Sequence, residues 1–142
     1  MFRMLSKFCD QFYALEPIPT SSVYYKHADE AYNYLIGVFG CPIDHSSKYD
    51  LSYSFSPRIV KFNLKSIYFI YLYPEGTDPV KQIASIAHEM YHRVTNSRRT
   101  FKYGLHRMVW VDESLAAIST IHCLNEMGYT EYVAKHIENC YK

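Results

Sequence analysis

The chain has 142 residues, 49% of them hydrophobic and 20% charged, the balance of a folded globular domain. A formal net charge of +1 is too even for a dedicated nucleic-acid or membrane-surface binder. No segment approaches the ~20 apolar residues of a membrane span, and Lys7, Asp10 and Gln11 interrupt the N-terminal run before it reaches signal-peptide length. Cys9, Cys41, Cys123 and Cys140 are scattered and lack any C-x-x-C pairing, so they suit reduced cytosolic thiols, and a cytoplasmic location is expected. Fifteen tyrosines is a high count. Tyrosine offers apolar area with a polar tip, and packing in core and strands is its expected use here.

In chain order, residues 1–25 predict a short N-terminal helix and then a loop broken by Pro17 and Pro19. Residues 29–39 predict a helix with Tyr32, Leu35, Ile36 and Phe39 on one face and Gly40 closing it. Residues 41–50 read as polar loop. Leu51, Tyr53 and Phe55 alternate with serines, the period of a half-buried strand, and Val60, Phe62 and Leu64 alternate with Lys61, Asn63 and Lys65 in a second. Residues 67–73, apolar on both faces and rich in strand formers, predict an interior strand.

The turn over residues 74–79 ends in Asp78, suited to an N-cap, and Pro79, suited to the first helical position. The helix it opens is expected to run to about Thr95, with Val80, Ile83, Ala84, Ala87, Tyr91 and Val94 as its apolar stripe. A basic, irregular stretch follows over residues 96–107. Arg93, Arg98, Arg99, Lys102 and Arg107 form a charge cluster whose ordinary role is a solvated surface. Another helix is expected from Asp112, as its N-cap, to about Glu126, stopped near Gly128, and a last one over residues 130–139. The order helix, antiparallel strands, helices implies one α+β domain over residues 1–142, with a small antiparallel or mixed sheet packed on the 79–95 helix.

That helix carries His88-Glu89-Met90-Tyr91-His92, an HExxH string. Histidines four apart lie on one face, about one turn from each other, so both imidazoles can reach one metal ion. Glu89 sits where it can hold and deprotonate a water on that metal. A metzincin would continue with Gly and His, but those places hold Thr95 and Arg98. Glu113 is the favoured third ligand, because it shares a helix face with Ala116, Ala117 and Thr120, small residues that let two helices approach closely. Asp112, His106 and His122 are the other candidates. Two imidazoles and a carboxylate leave the fourth position of tetrahedral zinc open, the arrangement of a catalytic site, and one Zn²⁺ per chain is expected.

HEMYH at 88–92 with WVDESLA at 110–116 resembles the gluzincin metallopeptidases, whose pattern is HExxH followed by a W-x-[ND]-E-x-x-A helix. The resemblance covers about a third of the chain. It implies a zincin-like fold, zinc held by His88, His92 and Glu113, Glu89 as general base, and a strand ahead of the HExxH helix as the rim on which an extended peptide lies. Ala117 stands where gluzincins often carry an aspartate orienting a ligand histidine, and Ser114 where Gly is common.

Hydrolysis of a peptide or protein substrate is therefore the expected activity. A regulatory protease of the ImmA/IrrE type, acting on one partner, and an inactive zincin-fold interaction module are the alternatives. A donor to the transition-state oxyanion is expected downstream of Glu113, with Tyr129, Tyr132 and His122 as candidates.

Overall fold

The computed structural model describes residues 16–42, 44–45, 48–62, 67–96 and 105–140, so the helix expected near the N-terminus lies outside the described residues. In chain order the elements are β1 (Glu16–Pro17), α1 (Val23–Phe39), β2 (Lys48–Tyr53), β3 (Arg58–Phe62), β4 (Ile67–Leu72), α2 (Pro79–Asn96), α3 (Leu105–Glu126) and α4 (Thr130–Cys140). The class is α+β, as expected. No helix among the described residues is long and apolar enough to cross a membrane.

The sheet order is β1-β2-β4-β3. β1 pairs antiparallel with β2 and β3 antiparallel with β4, while the central pair β2–β4 is parallel, so of the two arrangements expected the sheet takes the mixed one. Composition accounts for this. β4 is the strand that is apolar on both faces and takes an interior place, burying Tyr68, Ile70 and Leu72 on one side and half-burying Ile67, Phe69 and Tyr71 on the other. β3 is left at the edge, where Ile59 packs on the core and Val60 faces outward, the reverse of the expected phase. β2 begins at Lys48, inside the stretch read as loop, and stops before Phe55, which is 71% exposed. Ser54 ends the alternation, because its hydroxyl turns back on Ser56, donating to the carbonyl at 2.7 Å and accepting from the amide at 3.1 Å.

α1 starts six residues before the expected position. Ser22 caps it by accepting from the Tyr24 amide at 3.2 Å, and Gly40, at φ 86°, closes it with its N–H on the Ile36 carbonyl. α2 starts where the sequence places it, with the Asp78 carboxylate accepting from the Val80 amide at 3.0 Å. The buried Gln82 side chain then fixes the angle between β4 and α2. It accepts from the Tyr73 amide at 3.0 Å and donates to the carbonyls of Tyr73 and Pro74 at 2.9 and 3.2 Å.

The expected stripe on α2 is too narrow. Ile86, Met90 and Arg93 are as buried as the stripe residues, because α2 is the central helix, packed against α1, α3, α4, β3 and β4. Ile70 and Leu72 of the sheet meet Leu35 of α1 and Ile86, Ala87 and Met90 of α2 in one core cluster. The tyrosines are used as packing groups: Tyr24, Tyr25, Tyr32, Tyr34, Tyr49 and Tyr53 all lie against that cluster.

Arg93 is the main correction to the charge-cluster reading. It is 1% exposed, ion-paired to Asp44 at 3.2 Å, and it donates to the Asp44 carbonyl at 3.1 Å. Its guanidinium lies 4.3 Å from the Tyr68 ring centroid and 5.4 Å from that of Tyr32, and the Tyr68 hydroxyl donates to the other Asp44 oxygen at 2.5 Å. Arg98, Arg99 and Lys102 lie outside the described residues, and Arg107 belongs to α3. A guanidinium stripped of its acid inside the protein keeps its desolvation cost and loses its compensation. Asp44→Ala is therefore expected to destabilise the fold by about 3 kcal/mol, read as a lower urea midpoint; an unchanged midpoint would show that the pair contributes nothing.

Candidate metal centre

One turn of α2 sets His88 and His92 side by side, with ring centroids 5.1 Å apart. Glu113 of α3 comes between them. One of its carboxylate oxygens lies 2.8 Å from His88 Nε2 and the other 3.0 Å from His92 Nε2. Ligand atoms of all three residues fall within 4.8 Å of one another. Four donors at 2.0–2.1 Å from a tetrahedral ion stand roughly 3.3 Å apart, so these separations need only a slight opening to admit zinc. Both imidazoles present Nε2, and the donor set of two nitrogens and one carboxylate fits a zinc ion with a position to spare. Glu113, expected from the sequence as the third ligand, thus stands beside both histidines.

The approach of the helices has the expected cause, with one difference. Ala116 and Thr120 are buried on the α2 side of α3, and the Thr120 hydroxyl is absorbed by the Ala116 carbonyl at 2.8 Å. Ala117, expected on that face, is exposed.

Asp112 is not a cap. α3 begins seven residues earlier, and the Asp112 carboxylate faces His92 Nδ1 at 3.2 Å while accepting from the Tyr91 hydroxyl at 3.3 Å. A carboxylate on Nδ1 fixes the proton there and leaves the Nε2 lone pair for a metal. The residue before Glu113 thus places against a histidine of α2 the kind of acid that Ala117 cannot provide. His122 is exposed, and the side chain of His106 lies outside the described residues.

Glu89 is 7% exposed. Burial, followed by the negative charge of Glu113, pushes its carboxyl up to about 7. The acid is thus separated in character from its neighbour on α3, being withdrawn from water and poised to take or give a proton near neutrality.

These groups open into a cleft of about 740 Å³. Its floor runs along α2 from Lys81 to His92, β3 and the turn before it contribute Pro57, Arg58 and Ile59, and α4 contributes His136, Asn139 and Cys140. His136 was missed by the sequence reading. The available signal was the four-residue spacing of His136 and Cys140 on one helix face, now seen as Nε2 to Sγ at 3.8 Å. Burial and the nearby His88 hold the His136 imidazole below its ordinary pKa. The donors expected instead are elsewhere: the Tyr129 hydroxyl bonds His27 Nδ1 at 2.9 Å, Tyr132 stacks on Tyr129, and neither these nor His122 lines the cleft.

Protein-family models, curated proteins and solved structures were all compared with this chain, and none matches. The functional reading rests on the chemistry of the residues.

Two outcomes follow for the metal. Elemental analysis of the purified wild type should give about one zinc per chain, with a large loss in His88→Ala, His92→Ala and Glu113→Ala; equal metal content in all four proteins would remove the site. Asp112→Ala retains every ligand but frees the His92 ring, and should weaken zinc binding roughly 10–100-fold in a chelator competition. An unaltered affinity would mean that the Asp112 contact does not orient the ligand.

Proposed function

We propose that this chain is a zinc-dependent peptidase of the zincin type. The observation that carries the reading is the convergence of His88, His92 and the Glu113 carboxylate at the floor of an open cleft, with a buried acid, Glu89, beside the ligand set. Zinc held there supplies a Lewis acid for the peptide carbonyl and lowers the pKa of the attacking water.

The chain's own groups do the rest. Glu89, buried beside His88 and His92, accepts the proton of the attacking water and passes it to the departing amine. His136, on the α4 wall, is the cleft side chain suited to donate to the developing oxyanion, replacing the tyrosines first considered. Asp112 keeps His92 in the tautomer the ligand role needs. β3 is the outer strand of the sheet, and its first residues form the rim of the cleft, so an extended peptide laid along them can use main-chain hydrogen bonds.

The test separates the base from the ligands. Glu89→Gln should keep its zinc and lose about 10²–10⁴-fold in turnover of unfolded casein or of an internally quenched peptide library. Zinc loss equal to that of His92→Ala would reassign Glu89 as a ligand, and full activity would remove the proposed mechanism.

A further inference from the structure

The cleft is electrostatically divided along α2. Its lining acids are Glu89, Asp112 and Glu113, and all three belong to the ligand end. The other end holds Lys81, beside the small side chains of Ala84 and Ser85, and the lining adds Arg58 from β3. Lys81 lies seven residues before His88, roughly 10 Å along the helix axis.

Both cations are seated on aromatic faces. The Lys81 ammonium is 5.3 Å from the Tyr73 ring centroid, and the Arg58 guanidinium is 4.8 Å from that of Tyr71. Tyr71 lies near the end of β4 and Tyr73 just beyond it, two positions on, about 7 Å along an extended chain. Asp78, the acid whose charge meets that of Lys81, is already engaged by Lys135 at 2.8 Å and by the Val80 amide. Among the described residues, no carboxylate lies within ion-pair distance of Lys81.

We propose that this end of the cleft is an anionic subsite, which selects substrates carrying a carboxylate about three residues from the scissile bond. The spacing follows from ~10 Å of helix against ~3.3 Å per residue of extended peptide. The carboxylate comes from an Asp or Glu side chain or from the peptide's C-terminus. Peptides carrying lysine at that position meet like charge and are rejected. The inference rests on the peptidase reading for its substrate, but the subsite is a property of charge and shape that can be read without turnover.

The experiment measures binding first. Fluorescent octapeptides carrying Glu, Gln or Lys at each position in turn, each made with a free or an amidated C-terminus, are titrated by anisotropy against zinc-loaded Glu89→Gln protein. The same titration is run on Glu89→Gln combined with Lys81→Glu. A Glu peptide should bind about fivefold tighter than its Gln counterpart at one position, with Lys weaker still, and the order should reverse with Lys81→Glu. A preference for the free over the amidated terminus alone would assign the carboxylate to the chain end and equally supports the subsite.

Equal binding of Glu, Gln, Lys, free and amidated peptides would overturn the inference, as would a preference untouched by Lys81→Glu. Turnover by the wild-type protein separates the two ideas. Charge-selective binding without any cleavage keeps the subsite and defeats the peptidase reading. Cleavage indifferent to charge does the opposite.

Discussion

The close approach of α2 and α3 is the contact on which the site depends. Two neighbouring residues of α3 grip one histidine of α2 from both sides of its ring: Asp112 takes Nδ1 of His92, and Glu113 takes Nε2 while its other oxygen reaches His88. Residues adjacent on a helix point about 100° apart, so both can meet one ring only where the helices are nearly in contact. Ala116 and Thr120, one and two turns further along α3, keep that distance short. A bulky side chain at either place would push Glu113 away from the imidazoles and weaken both of its contacts together.

The sheet positions the other half of the site. β4 sits inside because it is apolar on both faces, and this leaves β3 at the edge beside the cleft. The Gln82 amide then ties the end of β4 to the first turn of α2, so the strand that β3 pairs with and the helix of the two histidines share one joint. Three acids, Glu89, Asp112 and Glu113, gather with His88 and His92 in the cleft, and burial beside Glu113 raises the Glu89 carboxyl to about 7. A divalent cation is the natural complement to such a group of carboxylates.

Short local motifs are the part of the fold most legible in the sequence. The Asp78-Pro79 start of α2, the Gly40 end of α1 and the interior character of β4 are properties of a few adjacent residues, and each appears as expected. The start of α3 was misplaced because its apolar residues are spread around the helix. Leu115 and Ile118 face outward while Ala116 and Leu124 face in, so no single stripe marks the boundary, and Asp112 resembles a cap. Arg93 was grouped with its neighbours in sequence, although the rotation of α2 turns it inward to Asp44. His88, His92 and Glu113 were legible because a metal demands fixed residue types at helical spacing. Asp112 as orienting acid and His136 as cleft wall were not, since each depends on a partner from another element.

The clamp on Arg93 has a consequence for how an ion enters. Arg93 follows His92 directly and so points about 100° around α2 from it. Asp44, Tyr68 and Tyr32 hold that guanidinium from the far side, which fixes the helix against rolling about its own axis. The imidazoles are therefore aimed before any ion arrives, and capture needs little further loss of conformational freedom. An ion bound there would meet side chains already in place, and its exchange would not require the chain to unfold. In a cell, supply of the metal would then set how much of the protein is loaded, and a scarce ion could be withdrawn and restored while the chain itself stays intact.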